Sequence, residues 1–192
     1  MIVARPVQNF HIIISGFRQR RWQDNGSFQL WYALREVSSP TSCVQMATWK
    51  DDFKELADRI AAVSVPCPTI KIYAYSWGAG WGFIQLCKEL ERHSFQVVVV
   101  VLCDPVYRSP YLPTWLPLNP LSMVWLPVIT IPEIVLEVHS FHQTIDRPRA
   151  HRLVKPLGSG TIINRSIELT VPHRQMDKTP EYLMTSLEIA RG

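Results

Sequence analysis

A chain of 192 residues has the length of a single domain and is long enough to bury a core. An apolar fraction of 47% beside 19% charged residues excludes a disordered chain. The net charge of +4 predicts a mild attraction to acidic surfaces, but the basic residues are scattered, which argues against nucleic-acid binding. The one dense cluster, Arg18, Arg20 and Arg21, and the looser pair Arg149 and Arg152 around His151, read as solvated loops.

The four cysteines, Cys43, Cys67, Cys87 and Cys103, show no CxxC and no metal-ligand spacing. Cys43 and Cys103 fall in strand-like runs and Cys87 in a helical one, so buried free thiols in a reducing, cytoplasmic setting are expected. The first residues, MIVARPVQNFHIII, lack the pattern of a secretion signal. No stretch of about 18 apolar residues escapes interruption by proline or charge, so no membrane span is expected.

In chain order, the short apolar run Phe10–Ser15, stopped by Gly16, has the pattern of a strand buried on both faces. Residues 28–36 read as a helix and Cys43–Trp49 as a second strand. The following helix carries Phe53, Leu56, Ala57, Ile60 and Val63 on one stripe, and Asp52 with Glu55 forms a capping-box pattern at its start. Thr69–Tyr75 is a third strand, followed by a Gly-rich turn and an apolar helix near Ala79–His93. Val97–Cys103 is the plainest buried strand and ends at Asp104-Pro105. Strands are predicted near Ile134–Phe141 and Ile162–Val171. A final helix opens at Thr179-Pro180-Glu181, with Thr179 as N-cap and Leu183, Leu187 and Ala190 on one side.

Strand and helix in alternation predict a parallel sheet with helices on both faces. Residues 105–132 break the alternation, with seven of the fifteen prolines, Trp115, Trp125 and a single charge, Arg108. Proline at that density forbids a regular helix or central strand. An apolar insertion over 105–133 is therefore expected within a single domain spanning 1–192.

Ala74-Tyr75-Ser76-Trp77-Gly78 lies between a predicted strand and a predicted helix. A serine there occupies a tight turn, and the residues two before and two after it must be small where strand and helix converge. This pattern resembles the G-x-S-x-G nucleophile elbow of α/β-hydrolases, with Ala74 in place of the first glycine. The resemblance implies a mostly parallel α/β sheet of about six strands and a lipase- or esterase-like serine hydrolase. It also implies a catalytic triad in the order Ser, acid, His. Ser76 is then the nucleophile and His173, after the last strand, the base. Asp104, at the end of the strand following the elbow helix, is the leading acid. Asp146 is its rival, set among arginines. The oxyanion donors by the same pattern are the backbone amides of Phe17 and Trp77. The family's two leading antiparallel strands have no counterpart before Phe10, so an N-terminal arm or a second subunit is expected to shield that edge.

The insertion would overhang Ser76 as a lid, with Tyr107, Trp115 and Trp125 lining an apolar acyl pocket and offering a patch for lipid or a partner. His139 and His142 are three apart in a strand and so point to opposite faces, which argues against their sharing a metal with His151. No metal or organic cofactor is implied. The expected chemistry is carboxylic ester hydrolysis through an acyl-enzyme. The alternatives on the same residues are thioesterase, amidase or acyltransferase activity, or a non-catalytic binding protein. A phosphate-cradling flavodoxin-like reading ranks last, because the turn lacks the glycine spacing and lysine of a phosphate loop.

Overall fold

The computed structural model describes residues 6–107 and 128–192. The elements are β1 (Val7–Ser15), α1 (Gly26–Val37), β2 (Ser42–Thr48), α2 (Phe53–Val63), β3 (Ser64–Tyr75), α3 (Phe83–Arg92), β4 (Val97–Cys103), β5 (Val128–Thr130), β6 (Val135–His142), β7 (Arg152–Val154), β8 (Ile162–Glu168) and α4 (Pro180–Arg191). Among the described residues, six strands form one sheet in the order β2-β1-β3-β4-β6-β8. Every neighbouring pair in it is parallel. The short strands β5 and β7 pair separately.

Period-two alternation along the central strands sends successive side chains to opposite faces, and both faces are apolar. Ile12, Ile14, Ile72, Val100 and Leu102 pack with Phe53, Leu56 and Ile60 of α2 and Phe83 and Leu86 of α3. Ile13, Tyr73, Val101 and Cys103 face the other way, onto Leu30 and Leu34 of α1 and Tyr182 of α4. The sheet is thus sandwiched between two helical layers, as the alternation of elements predicts.

Local chemistry sets the helix ends. Asn25 accepts a hydrogen bond from the Phe28 amide at 2.9 Å and starts α1 two residues before the predicted boundary. Asp52 accepts from the Glu55 amide at 3.0 Å, the N-cap half of the expected capping box, while the Glu55 carboxylate pairs with Arg59. Thr179 departs from its expected role. It sits at the cap position of α4, but its hydroxyl donates to the Met176 carbonyl at 2.8 Å, leaving Pro180 and Glu181 to open the helix.

Other boundaries also shift. The elbow helix begins as a π-helical turn over Gly78–Gly82 before α3, in which Gly80 and Gly82 lie close against backbone and side chains of neighbouring segments. Strand β8 stops at Glu168, three residues before the predicted end. Val63 is exposed rather than part of the buried stripe of α2. In α4 the fully buried positions are Tyr182 and Ser186, so the core-facing side is centred one residue from Leu183 and Leu187. Cys87 and Cys103 are buried free thiols, but Cys67 is exposed and Cys43 only half-buried. No helix among the described residues is long and apolar enough to cross a membrane.

Candidate active site

Ser76 follows β3 directly and holds a left-handed backbone, φ +54°. Its amide donates to the Cys103 carbonyl at 2.9 Å, and its carbonyl accepts from the amides of Gly80 (2.9 Å) and Val106 (3.1 Å). Such a conformation is costly for a residue with a Cβ and persists only where the surroundings fix it. Here three backbone hydrogen bonds to β4, its trailing loop and the first helical turn do so. The demand for small neighbours is explicit at Gly78, where a Cβ would lie 2.4 Å from the Ile14 carbonyl oxygen and 2.8 Å from that of Ser15.

The Ser76 hydroxyl oxygen lies 2.9 Å from His173 Nε2, and His173 Nδ1 lies 2.5 Å from Asp104 Oδ2. His173 opens the 3₁₀ turn His173–Lys178 after β8, while Asp104 terminates β4 with φ +46°. Gln143, just past β6, donates its backbone amide to Asp104 Oδ1 (3.3 Å) and its side-chain amide to Asp104 Oδ2 (3.1 Å). Both carboxylate oxygens therefore act as acceptors, so His173 Nδ1 carries the proton and Nε2 is left to accept from the serine hydroxyl. All three side chains are almost wholly removed from solvent. This row can draw a proton from the hydroxyl and hold it on the imidazole beside a buried carboxylate.

Asp146, the rival acid, lies elsewhere. Its carboxylate accepts from the adjacent Arg147 amide at 2.6 Å, and its backbone holds Gln143, whose side-chain oxygen accepts from the Asp146 amide at 2.8 Å. It touches Asp104 only through that glutamine.

The loop after β1 closes over the elbow. A Cβ on Gly16 would lie 2.9 Å from Ser76 Cβ, so only glycine lets this segment pass so near the serine. The Phe17 ring stacks on Trp77 with centroids 4.2 Å apart, and Trp49 meets Trp77 edge-on at 4.9 Å. Phe17 and Trp77 are thus neighbours, with their backbones on adjoining sides of Ser76. Gln19 pins the loop. Its side-chain oxygen accepts from the Gly16 amide (3.0 Å), and its nitrogen donates to Asp177 Oδ2 (2.7 Å). Asp177 also accepts from the Ser27 amide at 3.2 Å, and burial pushes its carboxyl above the usual range.

Sequence reasoning missed Tyr75, Gln143, Gln19 and Asp177. Tyr75 stacks under His173 and donates its hydroxyl to the His173 carbonyl at 2.7 Å. Burial raises its phenol far above the ordinary value. Tyr107 donates its amide to His151 Nδ1 at 2.8 Å and leans its ring on Trp81. Burial lowers the His151 imidazole to about 4, with Asp104 opposing. Trp115, Trp125 and the lid reading of the insertion fall on residues 108–127, outside the described part of the chain. Among the described residues no group of three His, Cys, Asp or Glu could hold a metal. His139 instead bonds Glu137 at 2.7 Å.

No family model and no curated protein matches the chain. Solved structures do. ClbQ from the colibactin NRPS/PKS pathway aligns over 96% of this chain and 96% of its own, with a TM-score of 0.54 and 11% sequence identity. The chain has an α/β-hydrolase fold. In this hydrolase fold the carboxyl ends of β1, β3 and β4 deliver Phe17, Ser76 and Asp104 to one edge of the sheet, and the segment after β8 brings His173 to meet them.

Proposed function

We propose that this protein is a serine hydrolase that cleaves a carboxylic ester or thioester through an acyl-enzyme on Ser76. The observation that carries this reading is the continuous row from Ser76 Oγ to His173 Nε2 and from His173 Nδ1 to Asp104 Oδ2. In the proposed reaction His173 takes the hydroxyl proton as Ser76 Oγ bonds to the acyl carbon, then gives it to the departing alcohol or thiol. Water then attacks the acyl carbon with His173 accepting its proton, and the bond to Ser76 Oγ breaks as His173 returns that proton to the serine and the acid departs. Asp104 holds the imidazole in the required tautomer and stabilises the imidazolium. The amides of Phe17 and Trp77 are the proposed donors to the oxyanion, supported by the approach of Gly16 to Ser76 and by the ring stack joining the two segments.

The test is covalent labelling by a fluorophosphonate, read by mass. Wild-type protein should gain one adduct on Ser76, while Ser76→Ala should gain none and His173→Gln should label at least about a hundredfold more slowly. A folded wild-type protein that stays unlabelled overturns the proposal. Hydrolysis of matched oxygen and thiol esters by the labelled-competent protein then separates the two substrate classes.

A further inference from the structure

The arginines of the loop after β1 do more than decorate it. Arg18, Arg20 and Arg21, with Lys50 from the turn after β2, rim a cleft of about 760 Å³ whose aromatic lining is Phe17 and Trp49. Both rings contact Trp77, the residue after Ser76, so the aromatic wall of the cleft packs on the segment that carries the nucleophile. Its volume is in the range of small-molecule sites, about 300–1,000 Å³.

The charges in this cleft are unbalanced. Asp51 is the one acidic residue among the described lining, and it is engaged by Arg21 and by the Thr48 amide and hydroxyl. Arg18 lies over the Phe17 ring, 5.3 Å from its centroid, and meets no carboxylate among the described residues. Arg20 and Lys50 form no ion pair among the described residues. The three arginines are exposed, as a solvated loop predicts, but they converge with Lys50 on one concave surface. Like charges held around one mouth repel, and an anion bound there relieves the repulsion.

We propose that this cleft is a subsite for an anionic group, a carboxylate or phosphate, carried by the substrate that Ser76 attacks. The aromatic lining takes the apolar stretch that joins that group to the reacting ester. The inference rests on the reading of Ser76 as the nucleophile, and it assigns the substrate class: amphipathic, anionic acyl esters.

The test compares three esters: neutral 4-nitrophenyl pentanoate, mono-4-nitrophenyl glutarate with its anion on the acyl side, and 4-carboxyphenyl pentanoate with its anion on the leaving side. The quantity read is kcat/KM for each anionic ester relative to the neutral one. Removing two exposed cations in Arg20→Ala/Lys50→Ala should lower that ratio about tenfold for one anionic ester, which also tells the side that enters the cleft. A ratio unchanged for both anionic esters overturns the subsite. A binding measurement keeps the idea separate from the catalytic reading. Ser76→Ala protein is titrated by fluorescence with anionic 8-anilinonaphthalene-1-sulfonate and with neutral N-phenyl-1-naphthylamine. The double substitution should weaken the anion about tenfold more than the neutral probe. Equal weakening of both probes rejects the subsite even where ester turnover is intact.

Discussion

Tyr75 and His173 are joined twice: the rings stack with centroids 5.3 Å apart, and the Tyr75 hydroxyl donates to the His173 carbonyl at 2.7 Å. The residue before the proposed nucleophile thus grips the backbone of the proposed base. Tyr75→Phe keeps the stack and deletes only the hydroxyl's bond to the His173 carbonyl. The expected result is a kcat roughly tenfold lower with the fold intact. The check is the rate of fluorophosphonate labelling alongside a thermal melt. Wild-type labelling would remove Tyr75 from any positioning role.

The elbow offers a paired test of smallness. At Gly78 a methyl group has nowhere to go, since the carbonyl oxygens of Ile14 and Ser15 already occupy the space. Gly78→Ala should therefore cost at least about 1–3 kcal/mol and abolish activity as the turn shifts. Ala74 sits in β3, wholly buried and in register with Ile14 and Leu102. Ala74→Gly restores the commoner elbow residue. It should keep most of the activity while losing about 0.5–1 kcal/mol to backbone entropy. Urea unfolding and ester turnover on the two variants measure both effects. An active, stable Gly78→Ala protein would contradict the steric account.

Gln19 ties the loop after β1 to the turn that carries His173. Its side chain bridges the Gly16 amide and the Asp177 carboxylate. Gln19→Leu removes these bonds and the one Gln19 accepts from the Ser27 hydroxyl (3.2 Å) at similar volume, and leaves a buried carboxylate short of a donor, at a cost of about 1.5–3 kcal/mol. The melting temperature should fall on the order of 5 °C. Because Gly16 precedes a proposed oxyanion donor, kcat should fall with little change in KM. A drop in stability with kcat untouched would leave Gln19 a purely structural residue.

The element order and the Ser76–Asp104–His173 row were legible because each left a local signal. Strand β4 is a run of valines closed by Asp104-Pro105, Ser76 is flanked by small residues at the required spacing, and His173 follows the last strand. Gln143 and Asp177 left none. Their roles arise from contacts 39 and 158 residues apart in the chain, to Asp104 and Gln19 respectively, and a glutamine or aspartate in a loop looks like any solvated polar residue. The misplaced stripe of α4 has a similar origin. Tyr182 is an amphipathic residue that periodicity alone does not rank above Leu183, and only packing against Phe141 on the facing side of the sheet selects it. The arginine loop was legible as charge but not as a cleft, because the end of β2 and the turn after it, residues 48–51, supply the opposite wall.

One buried and one half-buried imidazole, His11 and His151, predict how stability depends on pH. His11 is 2% exposed, stacks beside Tyr73 and bonds its hydroxyl at 3.2 Å. Burial, reinforced by nearby Lys71, lowers its pKa from 6.5 to about 4. His151 is lowered to about 4 as well, and its Nδ1 must stay unprotonated to accept from the Tyr107 amide. In both cases the unfolded chain binds a proton at a higher pH than the folded one. The contribution of these two groups to stability is therefore constant above about pH 7 and is lost as the pH drops from 6.5 towards 4, the window between unfolded and folded values. His11→Gln and His151→Gln each remove one titrating group, so each should flatten the pH dependence of the urea midpoint in that window, whatever it does to stability at neutral pH. A slope identical to wild type in both variants would mean that other groups govern acid unfolding.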